Sequence, residues 1–413
     1  MRAAPPVDVA IIGAGLAGLV CAEELQRVLG ARARVVLLDA RARVGGRLAS
    51  TRGGVDLGGS WLWPADRHVA ALARRLGVRT VAQHLEGQVL LRRAPGAPTQ
   101  RLGLVGADVA MCGADARRLA GGYAALVDGL ARCVGGEALL LRTQAVALSA
   151  PSGGGRVRIR YRRSGEGGEE EGALDAARVV LAAPPRVLLE TVRFDPPLAE
   201  AQRRAMRATP TWAGDWGKVV ATFRTNFWRA AGLSGYAISE GAPISMWWEG
   251  AAEEMGEKVN ALVGVSFGEQ TARLAQLADG DAGVAAAPRE TQPAGLSEDI
   301  NEVRTGKFFS WIQSELAAIY GEKASSELES VHYKLWRSDP FAFGTTAGAT
   351  DKGDPRAKYG NLALKQPTEW GVHFAGTETE HEYGHCEGAI ISGLRAASEV
   401  AGALQGGPLV ADD

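Results

Sequence analysis

The chain of 413 residues is long for a single domain, and its 46% hydrophobic content supplies enough apolar side chains for sizeable cores. A formal net charge of −1 gives no global field to draw nucleic acid or an anionic membrane, so neither is expected as a partner. Cys21, Cys112, Cys133 and Cys386 lack metal-ligand spacing; they read as buried thiols in a reducing compartment, and no metal is expected.

The first strand begins by residue 7 with no apolar h-region before it, so a cleaved secretory signal is not expected. No segment after Val400 is apolar and long enough to span a bilayer, and a cytoplasmic location is the expectation. Val7 to Ile12 is an apolar run suited to a strand buried on both faces, and a helix over Leu16 to Leu29 follows it. Between them, Gly13 permits the tight turn, Gly15 lets backbone approach a pyrophosphate, and Gly18 lets the helix pack close to the strand. Ala17 lies in the same turn, where helix N–H groups and dipole face phosphate. A second apolar strand over Arg34 to Leu38 ends on Asp39, placed for a ribose hydroxyl. Glycines alone say little; strand, glycine turn, helix, strand and acid in order define a dinucleotide-binding turn.

Directly after Asp39 and Ala40 come Arg41, Arg43 and Arg47, with the pair Gly45-Gly46. Such arginines pair with phosphate oxygens or cover a ring system, unless the segment is a solvated basic loop. Asp56-Leu57-Gly58-Gly59-Ser60-Trp61 and Gly121 to Leu126 are further glycine-marked segments. Strands are expected over Val157 to Tyr161 and Val179 to Leu181, with Ser164 to Gly172 as a flexible acidic hairpin tip. Lys218 opens the strand-like run to Phe223, and a lysine in such a run either sits at a sheet edge or is held for a reason. More strands are expected over Ile244 to Trp248 and Asn260 to Phe267, a loop over Asp279 to Ser297 and a helix over Asp299 to Tyr320. Near the C-terminus stand His373 to Glu378 and Glu387-Gly388-Ala389-Ile390.

Together these segments resemble the flavin-containing amine oxidase family, which includes monoamine, polyamine and L-amino-acid oxidases. The Arg43 to Arg47 stretch has the family's R-x-G-G-R form, Val179 to Pro185 is similar to its strand returning to the cofactor domain, and Phe374 to Glu378 with Glu387 to Ile390 is the most specific match. The resemblance covers nearly the whole chain and is weakest between about Asp279 and Gly306. It implies an α/β (α+β mixed) fold. A Rossmann-like FAD-binding domain over 1–75, 142–185 and 334–413 interleaves with a mixed-sheet substrate-binding domain over 76–141 and 186–333. The implied cofactor shell is Gly13, Gly15, Ala17, Gly18, Asp39, Ala40, Arg41, Gly46, Arg47, Gly58, Gly59, Ser60, Val146, Gly376, Glu378, Gly388 and Ala389, with the Val146 backbone meeting adenine. Lys218 matches the family lysine that sits by flavin N5 and holds a water. Trp61, Trp216, Trp247, Thr346 and His385 are the implied substrate-lining residues, with Trp63, Trp212 and Trp248 in segments near the cavity.

Two departures from the family matter. Monoamine oxidases attach flavin through a Cys-Tyr pair where this chain reads Phe343 to Ala347, so FAD is expected to be held non-covalently. A cage tyrosine is replaced by His385, which as neutral imidazole has the chemistry to accept a hydrogen bond from a substrate amine or to deprotonate it. The implied reaction is hydride transfer from the carbon beside nitrogen to FAD, imine hydrolysis, and reoxidation by dioxygen to hydrogen peroxide, with a small amine and O2 as partners. An L-amino-acid oxidase, a flavin-dependent desaturase and a non-enzymatic redox scaffold stay open as alternatives. Oligomeric state is not legible.

Overall fold

The computed structural model describes residues 5–30, 33–105, 111–150, 155–165, 168–250, 252–254, 257–279, 300–344, 355–381 and 384–405. Two large sheets carry them, one of eight strands and one of nine. In the first, Val7–Ile12 lies between Val35–Leu38 and the Gly168–Leu181 strand, all parallel where they pair. Val372–Phe374 adds to Gly168–Leu181 and Leu139–Leu140 adds to Val35–Leu38, again in parallel. Val7–Ile12, Val35–Leu38 and the Val179–Leu181 end of the longer strand are largely buried and read as near-continuous apolar runs. One face packs on helices Leu16–Leu29, Gly122–Val134 and Cys386–Gln405, with Leu19, Leu25, Leu126, Leu130, Ala396 and Val400 at its centre. The glycines set this packing. A Cβ on Gly18 would lie 2.0 Å from the Gly13 carbonyl oxygen, and one on Gly393 would lie 2.5 Å from the Ala17 carbonyl oxygen.

The second sheet runs Asn301–Val303, Leu328–Leu335, Gly217–Phe223, Glu257–Ser266, Met246–Glu249, Leu233–Ser239, Gln88–Arg92 and Gln100–Val105 in spatial order. Its far face buries Val219, Ala221, Phe223, Trp247 and Leu262 against helix Gly306–Tyr320. The opposite face presents Val220, Trp248 and Val263 under Trp61.

Several expectations need correction. The presumed acidic tip is strand: Val157–Gly165 and Gly168–Leu181 pair antiparallel up to Gly165 and Gly168, with acids of one strand facing arginines of the other, Glu170 opposite Arg163 and Glu171 opposite Arg162. The helix expected from Asp299 begins at Gly306, preceded by the edge strand Asn301–Val303. Helix Gly122–Val134 and strand Leu139–Leu140, read as substrate-facing, sit instead on the first sheet, as do Pro185–Thr191 and Glu200–Ala208 through the cluster around Leu188 and Met206. Their apolar faces have the dinucleotide-type sheet as nearest partner. The loop expected over Asp279 to Ser297 lies outside the described residues beyond 279. Among the described residues no helix is long and apolar enough to cross a membrane.

Candidate active site

The parallel strands of the first sheet end together on one cavity of ≈ 710 Å³, lined by Ile12, Gly13, Leu38, Asp39, Ala182 and Gly376 at those ends. This is where a doubly wound sheet binds ligands, at the carboxyl ends of its strands. Gly15, Leu16 and Ala17 bring the N-terminus of the first helix to the same wall, and no side chain caps that terminus. A Cβ on Gly13, whose φ is +110°, would meet the Ala182 carbonyl oxygen at 2.8 Å, and one on Gly46 would meet the Gly15 Cα at 3.3 Å. Backbone therefore forms the cradle. Asp39 accepts hydrogen bonds from the Ala14 N–H at 2.8 Å and the Arg41 N–H at 2.9 Å, which fixes its carboxylate on the wall.

Arg41 and Arg47 reach the cavity from the segment after Asp39. Arg41 donates to Asp339 at 2.8 Å, and Lys334 pairs with the other oxygen of Asp339 at 2.8 Å. Burial works against ionisation of Asp339, but Arg41 and Lys334 outweigh it and hold its carboxyl below the usual range. Arg47 forms a two-bond pair with Glu378, at 2.6 and 3.1 Å, and donates to the Trp212 carbonyl at 2.9 Å. Helix N-terminus and two guanidinium groups as donors for phosphate, with a fixed carboxylate as acceptor for ribose hydroxyls, are the set a dinucleotide requires.

Across the cavity stands the second sheet. Its strand Gly217–Phe223 delivers Lys218, buried, with Nζ donating to the Gly58 carbonyl at 2.8 Å and to Ser60 Oγ at 2.6 Å. The ammonium lies 5.3 Å from the Trp248 ring centroid and 6.0 Å from that of Trp61. Burial pulls Lys218 down to about 8, with Asp56 opposing. Burial likewise raises Asp56 to about 6, though it accepts from the Ser50 hydroxyl at 2.6 Å and the Tyr123 N–H at 2.8 Å.

Aromatic rings close the remaining side. His385 stacks on Trp63 with centroids 4.8 Å apart and meets Trp212 edge-on at 4.8 Å. Trp212 lies 6.2 Å from Trp216, and Trp61 lies 4.8 Å from Trp248. Trp63 is tied at both ends, its N–H to Asp66 at 2.9 Å and its indole N–H to the Cys112 carbonyl at 2.6 Å. Ala213, between Trp212 and Gly214, has φ +51°, a strained conformation for a residue with a side chain.

Of the expected site residues, Gly13, Gly15, Ala17, Asp39, Ala40, Arg41, Gly46, Arg47, Gly58, Gly59, Ser60, Trp61, Trp216, Lys218, Gly376, His385 and Ala389 line this one cavity. Gly18, Glu378 and Gly388 are not among its lining residues: Gly18 packs the helix on the turn, and Glu378 pairs with Arg47. Trp247 is a correction. Side chains alternate along a strand, so Trp247 covers Gly264 on the far face of the sheet while Trp248 takes the cavity face. Val146 is another, since a register shift between Ala145 and Ala147 leaves the wall to Thr143, Gln144 and Ala145. Thr346 lies outside the described residues. Cys386 also lines the cavity and Cys133 is exposed, so only Cys21 and Cys112 are the buried thiols expected. Sequence reading missed Asp66 and Arg356 at the wall, the latter 5.8 Å over Trp212. Asp66 had a signal in the Trp63-Pro64-Ala65-Asp66 turn. Arg356 had none.

A dinucleotide-type sheet facing a buried lysine and an aromatic chamber defines a cofactor-dependent oxidoreductase. The profile described as "Flavin containing amine oxidoreductase" matches residues 106–401, and that of an NAD(P)-binding Rossmann-like domain matches residues 11–76. The chain is 29% identical over 489 aligned positions to "Putative flavin-containing monoamine oxidase AofH" of Mycobacterium tuberculosis (strain CDC 1551 / Oshkosh), covering 97% of this chain and 98% of that protein. Its fold is similar to that of putrescine oxidase bound to putrescine, with TM-score 0.70, 20% identity and coverage of 97% and 99%. It is also similar to cyclohexylamine oxidase from Brevibacterium oxydans IH-35A, with TM-score 0.71, 20% identity and coverage of 97% and 100%. The chain belongs to the flavin-containing amine oxidoreductase family. It is a flavin-dependent amine oxidase with FAD as its cofactor.

Proposed function

We propose that the protein oxidises monoamines with a flat apolar body, aryl or cycloaliphatic, and that Lys218 and His385 serve the chemistry. The observation that carries this reading is the chamber wall: Trp61, Trp63, Trp212, Trp216, Trp248 and His385 surround one end of the cavity. Such rings orient an amine and its hydrocarbon together, each cation–π contact contributing about 0.5–2 kcal/mol. A diamine such as the putrescine held by one structural relative needs a second anionic contact. The acids among the described lining residues are Asp39, fixed by backbone N–H groups at the dinucleotide end, and Asp66, engaged with the Trp63 N–H.

Asp39 would hold the ribose hydroxyls of FAD, the first helix N-terminus with Arg41 and Arg47 would hold its phosphates, and the Gly58-Gly59-Ser60 turn would cover its ring, all of them lining the one cavity. The chemistry FAD would supply there is acceptance of the hydride and reduction of dioxygen to hydrogen peroxide. His385 accepts a hydrogen bond from the substrate amine and keeps the lone pair free that imine formation needs. Lys218 supplies positive charge in a water-poor site where negative charge develops on oxygen. Free thiols at Cys21, Cys112, Cys133 and Cys386 support a reducing, cytoplasmic setting.

The test is anaerobic mixing of the FAD-loaded protein with amines and amino acids while flavin absorbance is followed. Arylalkylamines and cycloalkylamines bleach the flavin, and air restores the colour with peroxide release. Bleaching by diamines alone would overturn the substrate reading. Arg356 at the wall beside Trp212 favours a second reading, an amino-acid substrate whose carboxylate pairs with that guanidinium. Bleaching by amino acids only, weakened in Arg356→Gln, would establish it.

A further inference from the structure

Lys218 has three N–H donors, and two are committed, to the Gly58 carbonyl at 2.8 Å and to Ser60 Oγ at 2.6 Å. The ammonium itself sits against the π faces of Trp248 and Trp61. Ser60 is differently placed. Its oxygen accepts from Lys218, a hydroxyl that accepts still has one hydrogen to donate, and among the described residues no acceptor takes it. Ser60 lines the cavity between Gly59 and Trp61, on the turn facing the ends of the parallel strands. The cavity contents are the remaining destination for that hydrogen.

We infer that Ser60 is a catalytic proton relay, passing the Lys218 proton to dioxygen as it is reduced. This rests on the reading of Lys218 given above. Two electrons and one proton reach dioxygen from the reduced cofactor. The second proton of hydrogen peroxide comes from the Ser60 O–H bond, which breaks as the bond to peroxide oxygen forms. Lys218 Nζ–H breaks in turn to restore the Ser60 hydroxyl, and the neutral amine left behind takes a proton from water.

The surroundings suit a lysine that gives its proton up. Asp56, held by Ser50 and Tyr123, is the anionic group acting on Lys218 from the covering segment, with Arg118 acting on Asp56 from behind. On the neighbouring strand the residue opposite is Lys334, whose charge is taken up by Asp339. On the other side the residue opposite is apolar Val265. Burial has already brought Lys218 down to about 8, so the neutral amine is accessible near neutral pH.

The experiment follows both the absorption spectrum of bound oxidised FAD against pH and the rate of reoxidation of substrate-reduced enzyme by dioxygen in H2O and D2O. Wild type shows a spectral transition near pH 8 that disappears in Lys218→Met. Ser60→Ala keeps a spectral transition, because Lys218 still titrates, but reoxidises at least about tenfold more slowly and loses the solvent isotope effect. Ser60→Thr, which keeps the hydroxyl, restores both. If Ser60→Ala fails to retain FAD, Ser60→Gly, which also lacks the hydroxyl, gives the same comparison. Reoxidation of Ser60→Ala or Ser60→Gly at the wild-type rate and isotope effect would overturn the relay and leave the role of Lys218 standing. An unchanged spectrum and rate in Lys218→Met would instead remove the reading of Lys218 on which the relay depends.

Discussion

Glu378→Ala tests whether the pair with Arg47 holds the cofactor-covering segment in place. The carboxylate accepts two bonds from Arg47, at 2.6 and 3.1 Å, and one from the Trp212 N–H at 3.1 Å, with its own side chain 1% exposed. Removing one partner of a buried pair costs about 3–5 kcal/mol, mostly the penalty of leaving the other charge unpaired. Arg47 keeps 25% of its side chain open to the cavity, where water reaches it, so the lower end, about 3 kcal/mol, is expected. Over 413 residues the entropy of unfolding is about 0.9 kcal/mol/K if the chain melts as one unit, and the loss becomes about 3 °C in Tm. Glu378→Gln keeps the shape and the Trp212 contact and should lose about half as much. Calorimetry of the FAD-free protein measures this without the cofactor's own stabilisation. A shift below about 1 °C for Glu378→Ala would refute the argument that this pair carries the energy assigned to it.

Trp247→Ala should destabilise by about 3–5 kcal/mol, seen in denaturant melts, while leaving amine preference unchanged; Trp248→Ala should change relative kcat/KM among amines. Equal effects of the two on selectivity would contradict the alternation of their faces. Gly13→Ala should abolish FAD retention on gel filtration, since its Cβ meets backbone at 2.8 Å and its φ of +110° disfavours any side chain. Lys218 binds its proton less tightly folded, at about 8, than unfolded, near 10.5, so the unfolded state holds the extra proton between those values and stability rises with pH across that window. Lys218→Met should flatten that rise in urea melts at pH 8 and 10; an unaltered slope would rule out Lys218 as its source. Asp56→Asn keeps both hydrogen bonds but removes the opposing charge, so the spectral transition near pH 8 should move lower.

Much of this was legible because local signals coincided with global ones. Val7–Ile12, the glycine turn and Leu16–Leu29 are written in hydrophobic run and glycine spacing, and the structure keeps the same bounds. Lys218 stood out because a lysine in an apolar strand demands a partner, and Gly58 and Ser60 provide it. Where the reading failed, the deciding quantity was three-dimensional. Trp247 and Trp248 differ only in which face the register selects, and one residue of slip exchanges them. The bulge at Val146 depends on pairing with Val157–Gly165. Helix Gly122–Val134 has an apolar face that would suit either sheet, and only contact with Leu16–Leu29 assigns it. Arg356 has no periodic neighbour to declare its side, and Asp339 becomes notable only when Arg41, nearly 300 positions earlier, arrives beside it.

The parallel sheet is completed by Val372–Phe374, and the first helix is covered by Cys386–Gln405 with Gly393 against the Ala17 carbonyl. The nucleotide cradle therefore emerges from the ribosome long before its last wall does. A nascent chain carrying only the first βαβ unit lacks Gly376, Ala389 and the helix that presses Leu16–Leu29 into place, and contacts of such sequence separation form slowly. The complete wall of the flavin cavity therefore exists only once the last fifth of the chain has joined the sheet and helix that its first 40 residues begin.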